Sequence, residues 1–149
     1  IRFSSDFIIG YPGETLEDYK QTEQLIKNVK YINSYSFIFS GRAGTPAFNL
    51  KKIDQIEAKK RLISFQSIAE EIKTKYRETL IGKISNVLFE NKTKDGNKYF
   101  GRDEYLNAVI VKSDESLVGK IKKVKITGGN HTTLYGETFS KLNQNNYAA

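Results

Sequence analysis

The chain has 149 residues, room for one ordinary domain or two small ones, and its 38% hydrophobic and 28% charged side chains suit a globular rather than a disordered protein. It holds no cysteine and one histidine, which excludes disulfides, thiolate metal sites, cysteine nucleophiles and histidine-rich metal centres within these residues. A formal charge of +7 favours a polyanionic partner such as nucleic acid, although the bias towards Lys, Ile and Asn of an AT-rich genome yields the same sign. A Ser-His-Asp triad would have to recruit His131 from a Gly-Gly-Asn-His-Thr-Thr turn. No apolar run approaches the ~20 residues of a membrane span and no leader pattern opens the chain, so a cytoplasmic protein without a membrane partner is expected. Ile1-Arg2-Phe3 begins in mid-strand without Met, and the chain reads as the back end of something longer.

Phe7-Ile8-Ile9, closed by Gly10, predicts a strand buried on both faces. Tyr11-Pro12-Gly13-Glu14 reads as a tight turn, with proline fixing φ and glycine free to take φ > 0. Thr15 and Asp18 form a capping box, and Leu16, Tyr19, Ile26 and Val29 mark the buried face of the helix that follows. Tyr35 to Ser40 predicts a second strand, parallel to the first through the crossover helix, running into the breaker-rich loop Gly41-Arg42-Ala43-Gly44-Thr45-Pro46. Asp54 and Glu57 form the capping box of a long helix whose Leu62, Phe65, Ala69, Ile72 and Tyr76 repeat at helical spacing; the stripe is short for a coiled coil and suits a helix on the outside of an α/β barrel. One βαβ unit leaves its apolar faces uncovered, so Phe7, Ile8, Ile9, Phe37 and Phe39 are expected to be only partly covered.

From Lys83 onward the periodicity drops to two. Five strands are predicted, Lys83 to Glu90, Lys98 to Arg102, Asn107 to Lys112, Lys120 to Thr127 and Leu134 to Phe139. Asp95-Gly96 and Ser113-Asp114-Glu115-Ser116 read as hairpin turns, and Gly128-Gly129-Asn130 opens the last one. Five short strands suggest a small closed barrel of the OB type, followed by a polar tail. The fold class is therefore α/β followed by β: a βαβα segment at 1–79, the barrel at 80–141 and the tail at 142–149.

Two clusters carry chemistry. Lys120, Lys122, Lys123 and Lys125 crowd one barrel strand, while Arg102, Tyr99, Phe100 and Tyr105 lie on or beside another. Cations serve phosphates and rings serve unstacked bases, so Arg102, Tyr105 and the four lysines are candidate RNA contacts, with Tyr99 or Phe100 turned into the core by alternation. The other cluster is the pair of loops past the carboxyl ends of the two parallel strands, Gly10 to Glu14 and Ser40 to Pro46, which would line one mouth of an α/β barrel.

Asp6 to Thr15 (Asp-Phe-Ile-Ile-Gly-Tyr-Pro-Gly-Glu-Thr) resembles a signature of the radical SAM methylthiotransferases, and Phe37 to Ala47 resembles that family's later stretch ending in Gly-Thr-Pro-Ala. Leu80 to Lys83, Gly101-Arg102, Leu117 to Lys120 and Leu134 to Glu137 resemble successive signposts of the TRAM domain that follows in the family. Ala43 replaces a usual proline, and the turn from Gly128 to His131 departs in detail. The resemblance implies the end of a radical SAM partial (β/α) barrel joined to an OB-like TRAM barrel, in a parent enzyme using S-adenosylmethionine and two 4Fe-4S clusters. One cluster would cleave S-adenosylmethionine to a 5′-deoxyadenosyl radical that abstracts hydrogen from the adenine ring before sulfur insertion.

Gly101 to Val109 (Gly-Arg-Asp-Glu-Tyr-Leu-Asn-Ala-Val) and the basic barrel resemble the branch that methylthiolates N6-isopentenyladenosine beside the tRNA anticodon rather than the sister branch acting on a ribosomal protein, and a third branch acting on threonylcarbamoyl-adenosine stays open as the alternative. Ile8 and Gly10 correspond to the strand bordering the S-adenosylmethionine adenine. Ser40 and Arg42 fall in the loop at the same mouth, where a guanidinium could meet a carboxylate or a phosphate. Glu14 is assigned to the helix amino terminus rather than to catalysis. The family's cluster ligands are cysteines, so no catalytic or metal residue is assigned here and this stretch alone is expected to be inactive. The sulfur donor stays open. The rival reading is a free-standing RNA-binding adaptor, which a Cys-x-x-x-Cys-x-x-Cys motif upstream would exclude.

Overall fold

The computed structural model describes residues 1–94 and 96–139; Asp95 of the first predicted hairpin turn and the predicted tail lie outside them. The chain divides into two compact units, Ile1–Thr74 and Lys75–Ala149.

In the first unit, β1 (Ser4–Ile9) and β2 (Asn33–Ile38) pair in parallel, with Ile8 opposite Phe37, and α1 (Leu16–Val29) connects them. Thr15 caps α1 with the full capping box: its side chain accepts from the Asp18 N–H and the Asp18 carboxylate accepts from the Thr15 N–H. Those hydrogen bonds, side chain first and backbone second, hold the Asp18 carboxyl below its ordinary range. The cap therefore contributes above the ordinary aspartate range and is lost as pH falls through the depressed value. Beyond a short 3₁₀ turn (Pro46–Asn49), α2 (Gln55–Glu78) begins at Asp54, whose carboxylate accepts from the N–H groups of Ile56 and Glu57. The reciprocal half of that predicted box is not formed, because the Glu57 carboxylate is taken by Arg61 one turn on.

The core of this unit is one cluster of Phe7, Ile9, Tyr19, Ile26 and Phe65, with Leu62, Ala69 and Ile72 packed against it. Phe7 meets Phe65 and Tyr31 at ring-centroid distances of 4.7 and 5.5 Å. The strand expected to be buried on both faces is buried on one. Phe7 and Ile9 turn into the cluster, while Ile8 and Phe37 are 60% and 57% exposed on the other face. On α1 the buried line is Tyr19 and Ile26, and the predicted Leu16 and Val29 are exposed at its two ends.

The Tyr19 hydroxyl donates its one proton to the Glu23 carboxylate (2.6 Å) and lies 2.9 Å from the Arg61 carbonyl. Burial first, and the bond to Glu23 second, push its pKa up to about 12. A raised folded-state value gives stability that is complete below the ordinary tyrosine pKa of 10.0 and lost as pH rises through the folded value of about 12. We expect the helix-monitored stability to fall across that window and Tyr19→Phe to flatten the fall; an unchanged alkaline profile in the variant would show that another group titrates.

The second unit is a closed barrel of β3 (Ile84–Lys92), β4 (Lys98–Asp103), β5 (Ala108–Lys112), β6 (Ile121–Gly129) and β7 (Leu134–Thr138), in the order β3-β4-β5-β7-β6. Val87, Phe89, Tyr99, Val109, Val111, Val124, Ile126 and Leu134 alternate inward and fill it. Tyr99 is thus the inward ring and Phe100 the outward one. The β5–β6 segment is not a hairpin. Those strands are not neighbours, since β5 pairs with β4 and, in parallel, with β7, so residues 113–120 cross between separated positions. The β6–β7 hairpin forms as predicted, with the Asn130 side-chain oxygen accepting from the N–H groups of Thr132 and Thr133.

Candidate nucleic-acid interface and strand-end loops

The strand-end loops are built by two local devices. Tyr11 to Glu14 closes as a turn through the Glu14 N–H to the Tyr11 carbonyl (2.9 Å), with Gly13 at φ +88°. The Glu14 carboxylate reaches back to accept the Gly10 N–H (2.9 Å) and pairs with Arg61 at 2.8 Å. Arg61 Nη1 also donates to the carbonyls of Glu14 and Thr15, and Nε to Glu57 at 3.0 Å. Burial alone would depress Arg61, but its partners Glu14 and Glu57 outweigh that and hold it above the ordinary arginine value. Glu14 thus ties the turn to α2, while Thr15 and Asp18 cap α1. Gly10 itself (φ +76°) packs so closely on Ala58 that an added Cβ would lie 2.9 Å from the Ala58 Cβ.

The second loop follows β2. The Phe39 N–H donates to the Ile9 carbonyl, and the Phe39 ring meets Tyr11 edge-on at 5.0 Å, so both strand ends open at one place. Ser40 and Arg42 are exposed, and the Arg42 carbonyl accepts from the Thr45 N–H and hydroxyl. The structure therefore brings Gly10, Ser40 and Arg42 to the same end of the sheet, with Ile8 on its open face. A cleft of about 350 Å³ lies elsewhere, along β2 and α2 between residues such as Tyr35 and Lys73.

On the barrel, β4 and β5 turn Lys98, Phe100 and Arg102, and Ala108, Ile110 and Lys112, outward in register. Tyr135 continues the row beside Ile110. A bulge at Glu90, between the pairs Phe89–Gly101 and Asn91–Phe100, re-aims that carboxylate, and Arg102 Nε lies 3.4 Å from it. The Arg102 guanidinium also lies 5.4 Å from the Phe100 ring centroid. Arg102 thus presents a plane held by a ring and a carboxylate, rather than a free cation.

The predicted lysine strand divides. Lys123 and Lys125 point outward with Ile121, opposite Asn86 and Ile84 of β3, whereas Lys122 falls on the inward parity opposite Val87 and reaches solvent at the barrel end. Lys120 precedes the strand, and its carbonyl accepts the Phe89 N–H. Lys125 also stands opposite Glu137. The four lysines therefore do not form one patch, because side chains alternate across a strand.

Tyr105 is 42% exposed at the tip of the β4–β5 turn. Sequence reasoning missed what holds it there. The buried Asp103 carboxylate accepts from the N–H groups of Tyr105 and Asn107 and from the Asn107 amide, an aspartate-anchored turn whose signal was the Asp-x-x-x-Asn spacing.

Among the described residues no helix is long and apolar enough to cross a membrane, and no group of three or more His, Asp or Glu side chains could hold a metal ion. Residues 78–139 match the TRAM domain family. The chain is 50% identical over 137 residues to the tRNA-2-methylthio-N(6)-dimethylallyladenosine synthase of Pelagibacter ubique (strain HTCC1062), covering 92% of this chain and 31% of that protein. It is 41% identical to the synthases of the same name from Vesicomyosocius okutanii subsp. Calyptogena okutanii (strain HA) and Buchnera aphidicola subsp. Baizongia pistaciae (strain Bp), over 95% and 96% of this chain and 32% of each relative. The chain spans about a third of the length of the curated relatives it matches. The barrel therefore falls within the stretch that matches the TRAM domain family, and the chain as a whole is similar to about a third of the length of the tRNA-2-methylthio-N(6)-dimethylallyladenosine synthases.

Proposed function

We propose that the chain is the tRNA-binding carboxyl-terminal part of a cytoplasmic radical SAM methylthiotransferase that adds a 2-methylthio group to N6-isopentenyladenosine beside the anticodon. The observation that carries this reading is a match running through both units, at 50% identity over 92% of the chain, to a synthase named for that product. In this reading residues 1–79 are the last strands and helices of the radical SAM barrel and residues 80–141 hold the anticodon stem-loop through Arg102, Tyr105, Lys120, Lys123 and Lys125, with Lys122 set apart on the other parity of β6.

The residues at the strand ends fit S-adenosylmethionine in part. Ile8 offers an exposed apolar side chain beside Phe37 on the open sheet face, suited to an adenine ring. Gly10 does not fit as well: its side free of Cβ is filled by Ala58, and its N–H is held by Glu14 and is not free for the ligand. Ser40 and Arg42 supply a hydroxyl and a cation at the same end. When bound, the cofactor supplies radical chemistry, and these residues serve to seat and orient it. The chain has no cysteine with which to ligate either 4Fe-4S cluster, so both clusters belong to other residues of the parent.

Deleting the gene that encodes the chain is expected to abolish 2-methylthio-N6-isopentenyladenosine in hydrolysed tRNA and to accumulate the unthiolated nucleoside, read by mass spectrometry. Unchanged levels of the thiolated nucleoside would contradict the proposal.

A further inference from the structure

Among the described residues, two that are not glycine have positive φ. Lys30 (φ 56°) is the C-cap of α1, where that conformation is the usual way to end a helix. Leu106 (φ 63°) ends no helix, and the left-handed region is unfavourable for a branched side chain. The turn enforces it. Asp103 holds Tyr105 and Asn107 from inside, its carbonyl accepts the Leu106 N–H at 3.0 Å, and Glu104 accepts the Asn86 N–H and side-chain amide from outside at 3.2 and 3.1 Å. Burial does not offset the strain, since Leu106 is 67% exposed. Strain kept at an over-determined position, with no gain inside the fold, points to use by a partner.

We propose that Leu106, with Tyr105 beside it, is a preformed apolar wedge that packs against an unstacked nucleobase of a single-stranded RNA loop. The inference rests on the tRNA-binding reading above and adds the element that would discriminate a loop from a duplex. The surroundings select RNA. Arg102 stands at the root of the turn, and Asn86, which anchors Glu104, lies opposite Lys123 on the outer wall. A fixed tip loses little freedom on binding, and bases are accessible to side chains in loops rather than in A-form grooves.

The test uses the full 149-residue chain, a fluorescent tRNA anticodon stem-loop and a fully paired RNA hairpin, titrated at several salt concentrations. Leu106→Gly and Leu106→Asn both accept positive φ, so each should melt at or above the parent temperature. Each should nevertheless lose about tenfold in stem-loop affinity, the scale of one base contact, with an unchanged salt slope and unchanged binding to the paired hairpin. Leu106→Met, which keeps an apolar tip, should stay within about twofold of the parent by the same scale. Parent-like stem-loop affinity in both the Gly and Asn variants, while Lys123 and Lys125 variants weaken binding, would overturn the wedge, leave RNA binding standing and assign Leu106 to a protein contact. Failure of the unsubstituted chain to bind the stem-loop would overturn both.

Discussion

Glu14→Ala should destabilise the first unit by about 3 kcal/mol, the low end of the cost of breaking a buried ion pair. Arg61 is only 8% exposed and, without Glu14, would keep Glu57 as its carboxylate partner. The same change strips the Gly10 N–H of its acceptor in a part-buried position, a further cost of about 1 kcal/mol or more. The double variant Glu14→Ala/Arg61→Met should recover part of the loss, because the buried guanidinium, left with only the part-exposed Glu57 as its carboxylate, is then gone as well. Urea unfolding followed by helical circular dichroism checks both, and a loss below about 1 kcal/mol in the single variant would place the ion pair among surface pairs of little value.

Gly101→Ala should cost the barrel about 3 kcal/mol, at the upper end of overpacking effects. Its φ is unremarkable, so the penalty is steric: the new Cβ would collide with the Leu88 carbonyl oxygen and lie 2.8 Å from Val87 Cγ1, at the Phe89–Gly101 pair beside the bulge in β3. Gly13 gives the contrasting case. It sits at φ +88° with nothing within 4 Å of an added Cβ, so Gly13→Ala should cost only the conformational strain of about 1–2 kcal/mol. Thermal melts of the two variants separate the causes, and a tolerated Gly101→Ala would mean that the β3–β4 ladder gives way easily.

The elements legible in the sequence were those fixed by local chemistry. Period-two alternation placed all five barrel strands within two residues of their ends, and Thr15 with Asp18 announced α1. What failed needed knowledge of partners. Ser113 to Ser116 has turn composition, but composition does not say which strand comes next in space, and the β5–β7 parallel pair separates β5 from β6. Glu57 looked like half of a capping box until Arg61 competed for it. The Glu14–Arg61 pair joins residues 47 positions apart and leaves no periodic trace. Counting four lysines on one strand ignored the alternation that the same reading used for the core. Leu106 was invisible because a left-handed leucine is what local preference argues against.

A basic barrel that grips RNA phosphates from its outer wall should lose affinity with salt in proportion to the number of lysines engaged. The chain should be titrated with a tRNA anticodon stem-loop across a range of salt concentrations, together with Lys123→Gln/Lys125→Gln and Lys122→Gln. The double variant should flatten the slope of log affinity against log salt by about 1.5 units, two phosphate contacts at roughly 0.7–0.9 each. Lys122→Gln, on the other parity of β6, should change it by well under about half a unit on the same scale. An unchanged slope in the double variant would mean that Lys123 and Lys125 neutralise no phosphate and that the charge of this wall is only a solvated surface.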